Sequence, residues 1–142
     1  MKIICLFGKA DSGKTTTLKM VFDLLKDKLD VLADLSEGND ITIVLSDEKK
    51  KIAIISAGDS EDDLKKGFNA VTVFAPELVI CAARSKGETR KFVYEQSDDI
   101  LMLSKSYLEI KGNGVSGKSD EFCREINYQT AIYIVEEILK SI

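Results

Sequence analysis

The chain has no histidine among its 142 residues. A Ser-His-Asp or Cys-His nucleophile system, an HExxH metal site and an imidazole pH switch are therefore excluded. Acid–base work falls to Asp, Glu, Lys, Tyr, Cys or the backbone. Phosphoryl transfer stays open, because it depends on positioning and electrostatics. Cysteine is sparse. Cys5, Cys81 and Cys123 make no CxxC, and without histidine a zinc site lacks ligands. They read as buried, reduced thiols of a cytoplasmic protein. Lys and Arg number 20 against 24 Asp and Glu, a net charge of −4 with no basic block, so no nucleic-acid partner is expected. Long apolar runs are also missing. Ile3 to Phe7 is too short for a signal-peptide core, and Ala70 to Ala83 is broken by Thr72, Pro76 and Glu77. Neither a targeting segment nor a membrane span is expected.

What is present fits one soluble domain over residues 1–142, with 44% hydrophobic and 31% charged residues. Lys2 to Phe7 (KIICLF) is a short continuous apolar run and reads as a buried, parallel-type strand. From Lys14 the period changes: Leu18, Val21, Phe22, Leu25 and Leu29 form one stripe of an amphipathic helix. Val31 to Ala33 is a short strand. Ile41 to Leu45 and Lys51 to Ser56 are clearer ones, and the polar Ser46 to Lys50 suits a hairpin between them. Asp59 or Ser60 caps a helix with the stripe Leu64, Phe68 and Val71, ended by Pro76. Leu78 to Ala83 is another buried strand, Gly87 to Gln96 a short helix, and Leu101 to Ile110 a strand nearer an edge. A Gly/Ser loop, Lys111 to Ser119, leads to a last helix from about Asp120, with Cys123, Ile126, Thr130, Ile134, Ile138 and Ile142 inward. This order implies an α/β sandwich with a mostly parallel sheet.

Gly8-Lys9-Ala10-Asp11-Ser12-Gly13-Lys14-Thr15 matches GxxxxGK[ST] between the first strand and the first helix. Gly8 lets the chain leave the strand in a tight turn, and Gly13 admits phosphate close to the backbone. Successive N–H groups make an anion nest, to which the helix adds its positive end. Lys14 is spaced to reach the β- and γ-phosphates and the Thr15 hydroxyl to bind Mg²⁺. Over residues 2–29 the chain resembles P-loop NTPases. The resemblance implies a three-layer sandwich with a mostly parallel sheet and one antiparallel hairpin, a bound ATP or GTP, and Mg²⁺. Gly8, Lys9, Ala10, Asp11, Ser12, Gly13, Lys14, Thr15 and Thr16 are the phosphate-binding set it implies. Lys9 stands where the partition and arsenical-pump ATPases carry a signature lysine, but Ala10 and Asp11 replace that subgroup's usual glycines, and Lys9 reads as solvated.

A second GxxxxGK[ST] match spans Gly112 to Ser119. Glu109 and Lys111 interrupt the strand before it, and Asp120 and Glu121 after it would repel a triphosphate, so it reads as a surface loop, with a substrate or lid loop as the alternative.

P-loop NTPases place a metal-holding carboxylate at the end of a neighbouring strand. KIAII is the natural candidate, yet it runs into Ser56-Ala57-Gly58-Asp59 with no Asp at its tip. Gly58 resembles the glycine of a GTPase DxxG motif whose Asp position is Ile55. Asp59 is the expected catalytic and metal-side carboxylate, beside Lys14 and Thr15, and Asp34 the runner-up. Arg84 and Lys86 follow LVICAA at a strand end that faces ligand in doubly wound sheets. Ser85 to Glu88 only faintly resembles the GTPase [NT]KxD motif, which favours ATP over GTP. The expected function is Mg²⁺-dependent nucleoside triphosphate hydrolysis. The alternatives are a small kinase, for which the length and the three arginines (Arg84, Arg90, Arg124) leave little lid, and a non-catalytic nucleotide-binding module or GTP switch. A second subunit or a protein partner completing the site fits so short a core.

Overall fold

The computed structural model describes residues 1–106 and 120–142. Among the described residues, six strands and four helices follow in the order β1 (Lys2–Phe7), α1 (Lys14–Leu25), β2 (Asp30–Asp34), β3 (Thr42–Ser46), β4 (Lys51–Ile55), α2 (Glu61–Thr72), β5 (Leu78–Ala83), α3 (Glu88–Gln96), β6 (Asp99–Ser104) and α4 (Asp120–Ser141). The strands make one mixed sheet in the order β2-β3-β4-β5-β1-β6.

β1, β4, β5 and β6 run parallel, and β3 runs antiparallel to both β2 and β4. The expected β3–β4 hairpin is present, and β2 adds a second antiparallel pairing at the sheet edge. Strands buried on both faces read as unbroken apolar runs. All six residues of β5 are buried, as are Ile3 to Leu6 of β1.

Alternate residues of each strand feed two cores. Ile4, Leu6, Ile54 and Ile80 pack with Leu18, Val21 and Leu25 of α1 and Ala131, Ile134 and Ile138 of α4. Ile3, Cys5, Ile55 and Val79 pack with Leu64, Phe68 and Val71 of α2 and Val93 of α3. Helices thus cover both faces, in three layers.

Three element boundaries differ from the sequence reading. α2 ends at Thr72, ahead of Pro76, and Ala75 takes a left-handed φ of 51° before that proline. β6 runs from Asp99 to Ser104, two residues earlier at its start than expected, and residues 107–110 of the expected strand lie outside the described residues. α4 buries Asn127, Ala131, Ile134, Val135 and Ile138, so its inward face is rotated from the stripe expected through Cys123, Ile126 and Thr130. Ile132, Tyr133 and Leu139 spread apolar groups around this helix and blur its period. The second GxxxxGK[ST] match, Gly112 to Ser119, lies outside the described residues.

Candidate functional site

The carboxyl ends of four parallel strands converge on one edge of the sheet. They bring the loop after β1 beside Ser56–Asp59, Arg84–Lys86 and Lys105. β1 is extended past its last residue, because Gly8 N donates to Ala83 O (3.1 Å) on one side and Lys105 N donates to Phe7 O (2.8 Å) on the other. A side chain on Gly8 would collide with the Lys105 carbonyl oxygen.

The loop then turns through two left-handed residues, Asp11 (φ 59°) and Gly13 (φ 85°). Gly13 caps α1 without a side-chain hydrogen bond, and no acidic residue stands in the first turn. The orphan N–H groups of that turn, and the positive end of the helix dipole, are therefore open to an external anion.

Lys14 is buried, and its Nζ donates to Gly8 O (2.6 Å) and Lys9 O (3.0 Å). Burial lowers its pKa; Asp59 opposes that shift, and the Arg84 guanidinium adds to it. The Ser12 hydroxyl is buried with no hydrogen-bond partner. Asp11 to Thr16 and Asp59 line a cavity of about 180 Å³. An uncapped helix start, a buried ammonium and an orphan hydroxyl together fit a phosphate group. Lys9, Ala10 and Thr16 lie on the exposed side of this loop.

Asp59 reaches the cavity from farther away than expected. β5 stands between β1 and β4, so KIAII is not the neighbour of the loop-bearing strand. Contact is restored by Gly58, which lies so flush on β5 that a Cβ would strike the Ala82 carbonyl oxygen. Ser60, not Asp59, caps α2, its hydroxyl accepting from Asp63 N at 3.1 Å. Asp59 pairs instead with Arg84, Oδ1 to Nε at 3.2 Å. The pair is misaligned for a hydrogen bond, so the buried Nε–H keeps no acceptor. Arg84 N donates to Thr89 Oγ1 (3.0 Å), which fixes where the arginine leaves β5. Lys86 is exposed two residues on. Asp34 is turned away into its own loop, accepting from Ser36 N at 3.0 Å; hydrogen bonding to the Ser36 side chain, and then to its amide, lowers its pKa.

Two residues at the site were not singled out in the sequence. Asp40, between β2 and β3, accepts from Thr15 Oγ1 (3.3 Å) and from Ser56 Oγ (2.9 Å). Ser56 Oγ in turn accepts from Ile41 N (2.7 Å), which ties the turn to the end of β4. Lys105, just past β6, is 2% exposed, and its Nζ donates to Ser12 O at 2.8 Å. The polar Ser56 closing an apolar strand was the only hint of the first. The second had none, because a lysine after a strand ordinarily reads as solvated.

Cys5 and Cys81 face each other in register across β1 and β5, and their mutual hydrogen bond, with burial, pushes the Cys81 thiol well above its ordinary pKa. Both are inert packing groups. All three cysteines are free, with Cys123 half-buried.

Among the described residues, no three Asp, Glu or Cys side chains cluster as a protein-only metal cage, and no helix is long and apolar enough to cross a membrane. No protein-family model matches the chain, and neither do curated proteins or solved structures.

Proposed function

We propose that residues 8–16 bind the phosphates of a nucleoside triphosphate with Mg²⁺, ATP being the favoured nucleotide, and that the chain hydrolyses it. The observation that carries this reading is the uncapped start of α1 beneath a buried lysine and an unpartnered serine hydroxyl. These groups are costly to leave in place without an anion.

In this reading Gly13 N–H and the first-turn amides take phosphate oxygens, and Lys14 leaves the Gly8 and Lys9 carbonyls for the β- and γ-phosphates. Magnesium supplies charge neutralisation of the triphosphate. The Thr15 hydroxyl and Asp40 are the protein groups that would hold it, with phosphate and water oxygens completing a small hard-cation shell. Asp59 orients the attacking water, and Arg84 exchanges its carboxylate partner for the terminal phosphate.

Melting the protein with Mg·ATP and Mg·GTP tests the premise. Wild type should rise by several degrees at saturating nucleotide and Lys14→Ala should not. No rise with either nucleotide would sink it. Phosphate release that depends on Mg²⁺ separates hydrolysis from silent binding.

A second reading, transfer to a small acceptor, draws on a cavity of about 490 Å³ between the β2–β3 turn and α2, lined by Asp40, Thr42, Ala57, Asp63 and Lys66 among others. It borders the metal side of the site at Asp40. A phosphorylated product from an added hydroxyl or amine compound would favour it over hydrolysis.

A further inference from the structure

Lys105 is among the largest fully buried side chains of the protein, and it is a cation. A methionine of similar length would fill the same space without desolvating a charge. The ammonium also donates a hydrogen bond to Ser12 O (2.8 Å), made from just past β6 across the base of the phosphate loop.

That bond has a directional consequence. The Ser12–Gly13 peptide is trans, so the Ser12 carbonyl and the Gly13 N–H point in opposite directions within one rigid plane. Holding Ser12 O toward Lys105 turns Gly13 N–H to the side away from Lys105. Gly13, at φ 85°, has no side chain to resist a flip of this peptide, so the orientation has to be imposed from outside. The backbone of Lys105 acts on the same loop, since its N–H is bonded to Phe7 O and its carbonyl leaves room only for glycine at position 8.

We propose that Lys105 is a positioning residue for anion binding: from β6 it locks the Ser12–Gly13 peptide so that the Gly13 amide faces the phosphate. The inference rests on the phosphate-site reading above, and it adds a residue outside the GxxxxGK[ST] motif.

Lys105→Met in the full chain tests it. The probes are Mg·ATP, Mg·GTP and inorganic tripolyphosphate by calorimetry, with hydrogen exchange at the Gly13 amide followed by NMR. Affinity for all three should fall about ten-fold, the expected loss of one charge-assisted hydrogen bond. Gly13 exchange should quicken while β1 and β5 amides stay unchanged and the variant remains folded. Lys105→Arg, which returns a cationic donor, should recover most of the affinity. Unchanged affinity and unchanged Gly13 exchange in folded Lys105→Met overturns the proposal. So does an affinity loss that only tracks a lower melting temperature and is not rescued by arginine. If wild type binds none of the probes, the nucleotide reading fails, and Gly13 exchange alone decides the loop-holding role: quickened supports it, unchanged overturns it. Should Lys105→Met not fold, Lys105→Gln, too short to reach Ser12, gives the same readouts.

Discussion

In the proposed function, Asp40 and Asp59 divide the acidic work of the site by position. Asp40 already holds the Thr15 hydroxyl, whereas Asp59 is 66% exposed and paired with Arg84. Asp40→Asn should therefore weaken nucleotide binding in the presence of Mg²⁺ and leave metal-free binding nearly unchanged. Asp59→Asn should lower turnover with little change in affinity. Titrating both variants with and without Mg²⁺ checks the division, and a Mg²⁺ effect confined to Asp59→Asn would reverse it.

Lys105 carries a pH signature. Its folded-state pKa is lowered by burial from 10.5 to about 8, with Cys123 opposing the shift. Below pH 8 the charge is present in both states and its burial cost is carried in full. Between about 8 and 10.5 the unfolded chain binds more protons, so this residue makes stability rise with pH. Lys105→Met lacks that contribution, so its stability in urea relative to wild type should fall across the same window. Anion binding has the opposite sign, because phosphate favours the ammonium. Wild-type affinity should fall as pH passes through about 8.

At the scale of elements, the helices next to the site are built differently at their starts. α2 is capped by Ser60 and carries Glu61, Asp62 and Asp63 in its first turn, a complete arrangement for a positive helix end. α1 has neither cap nor acid. Ser60→Ala should cost about 1 kcal/mol by chemical denaturation, the usual worth of such a cap. It should leave nucleotide binding intact, since α1, not α2, is the proposed phosphate helix.

The strands were legible because each is apolar without interruption and bounded by polar or glycine residues. β1, β4 and β5 fall almost where the runs do. α4 was legible as a helix but not in its facing, because Tyr128, Tyr133 and Leu139 are exposed while Asn127 is buried. Strand order was not legible at all. No local pattern in KIAII says that β5 separates it from β1, and the choice of Asp59 depended on the wrong neighbour.

At the scale of the whole molecule, one sheet separates two cores, and adjacent residues of β1 serve opposite ones. Ile4 packs with α1 and α4, and Ile3 with α2 and α3. Both are fully buried. Ile3→Ala and Ile4→Ala should each destabilise the fold by about 2–5 kcal/mol. Because the sheet is common to both cores, each variant should still unfold in one transition, read identically by far- and near-ultraviolet circular dichroism. A two-step transition in either would mean that one layer folds independently.

The sequence by itself determined the alternation of strands and helices, the phosphate-loop motif and the exclusion of imidazole chemistry. These follow from periodicity, spacing and residue type, all of which are local. The tertiary structure alone decided which residues surround that loop. Asp40 comes from a turn 25 residues beyond Thr15, and Lys105 comes from a strand 93 residues beyond Ser12. Lys105 reaches the loop because β6 runs parallel to β1, and Asp40 because antiparallel β3 begins where β4 ends, Thr42 opposite Ile55; hydrogen-bond pairing between strands, set by the packing of whole elements, fixes which ends lie side by side.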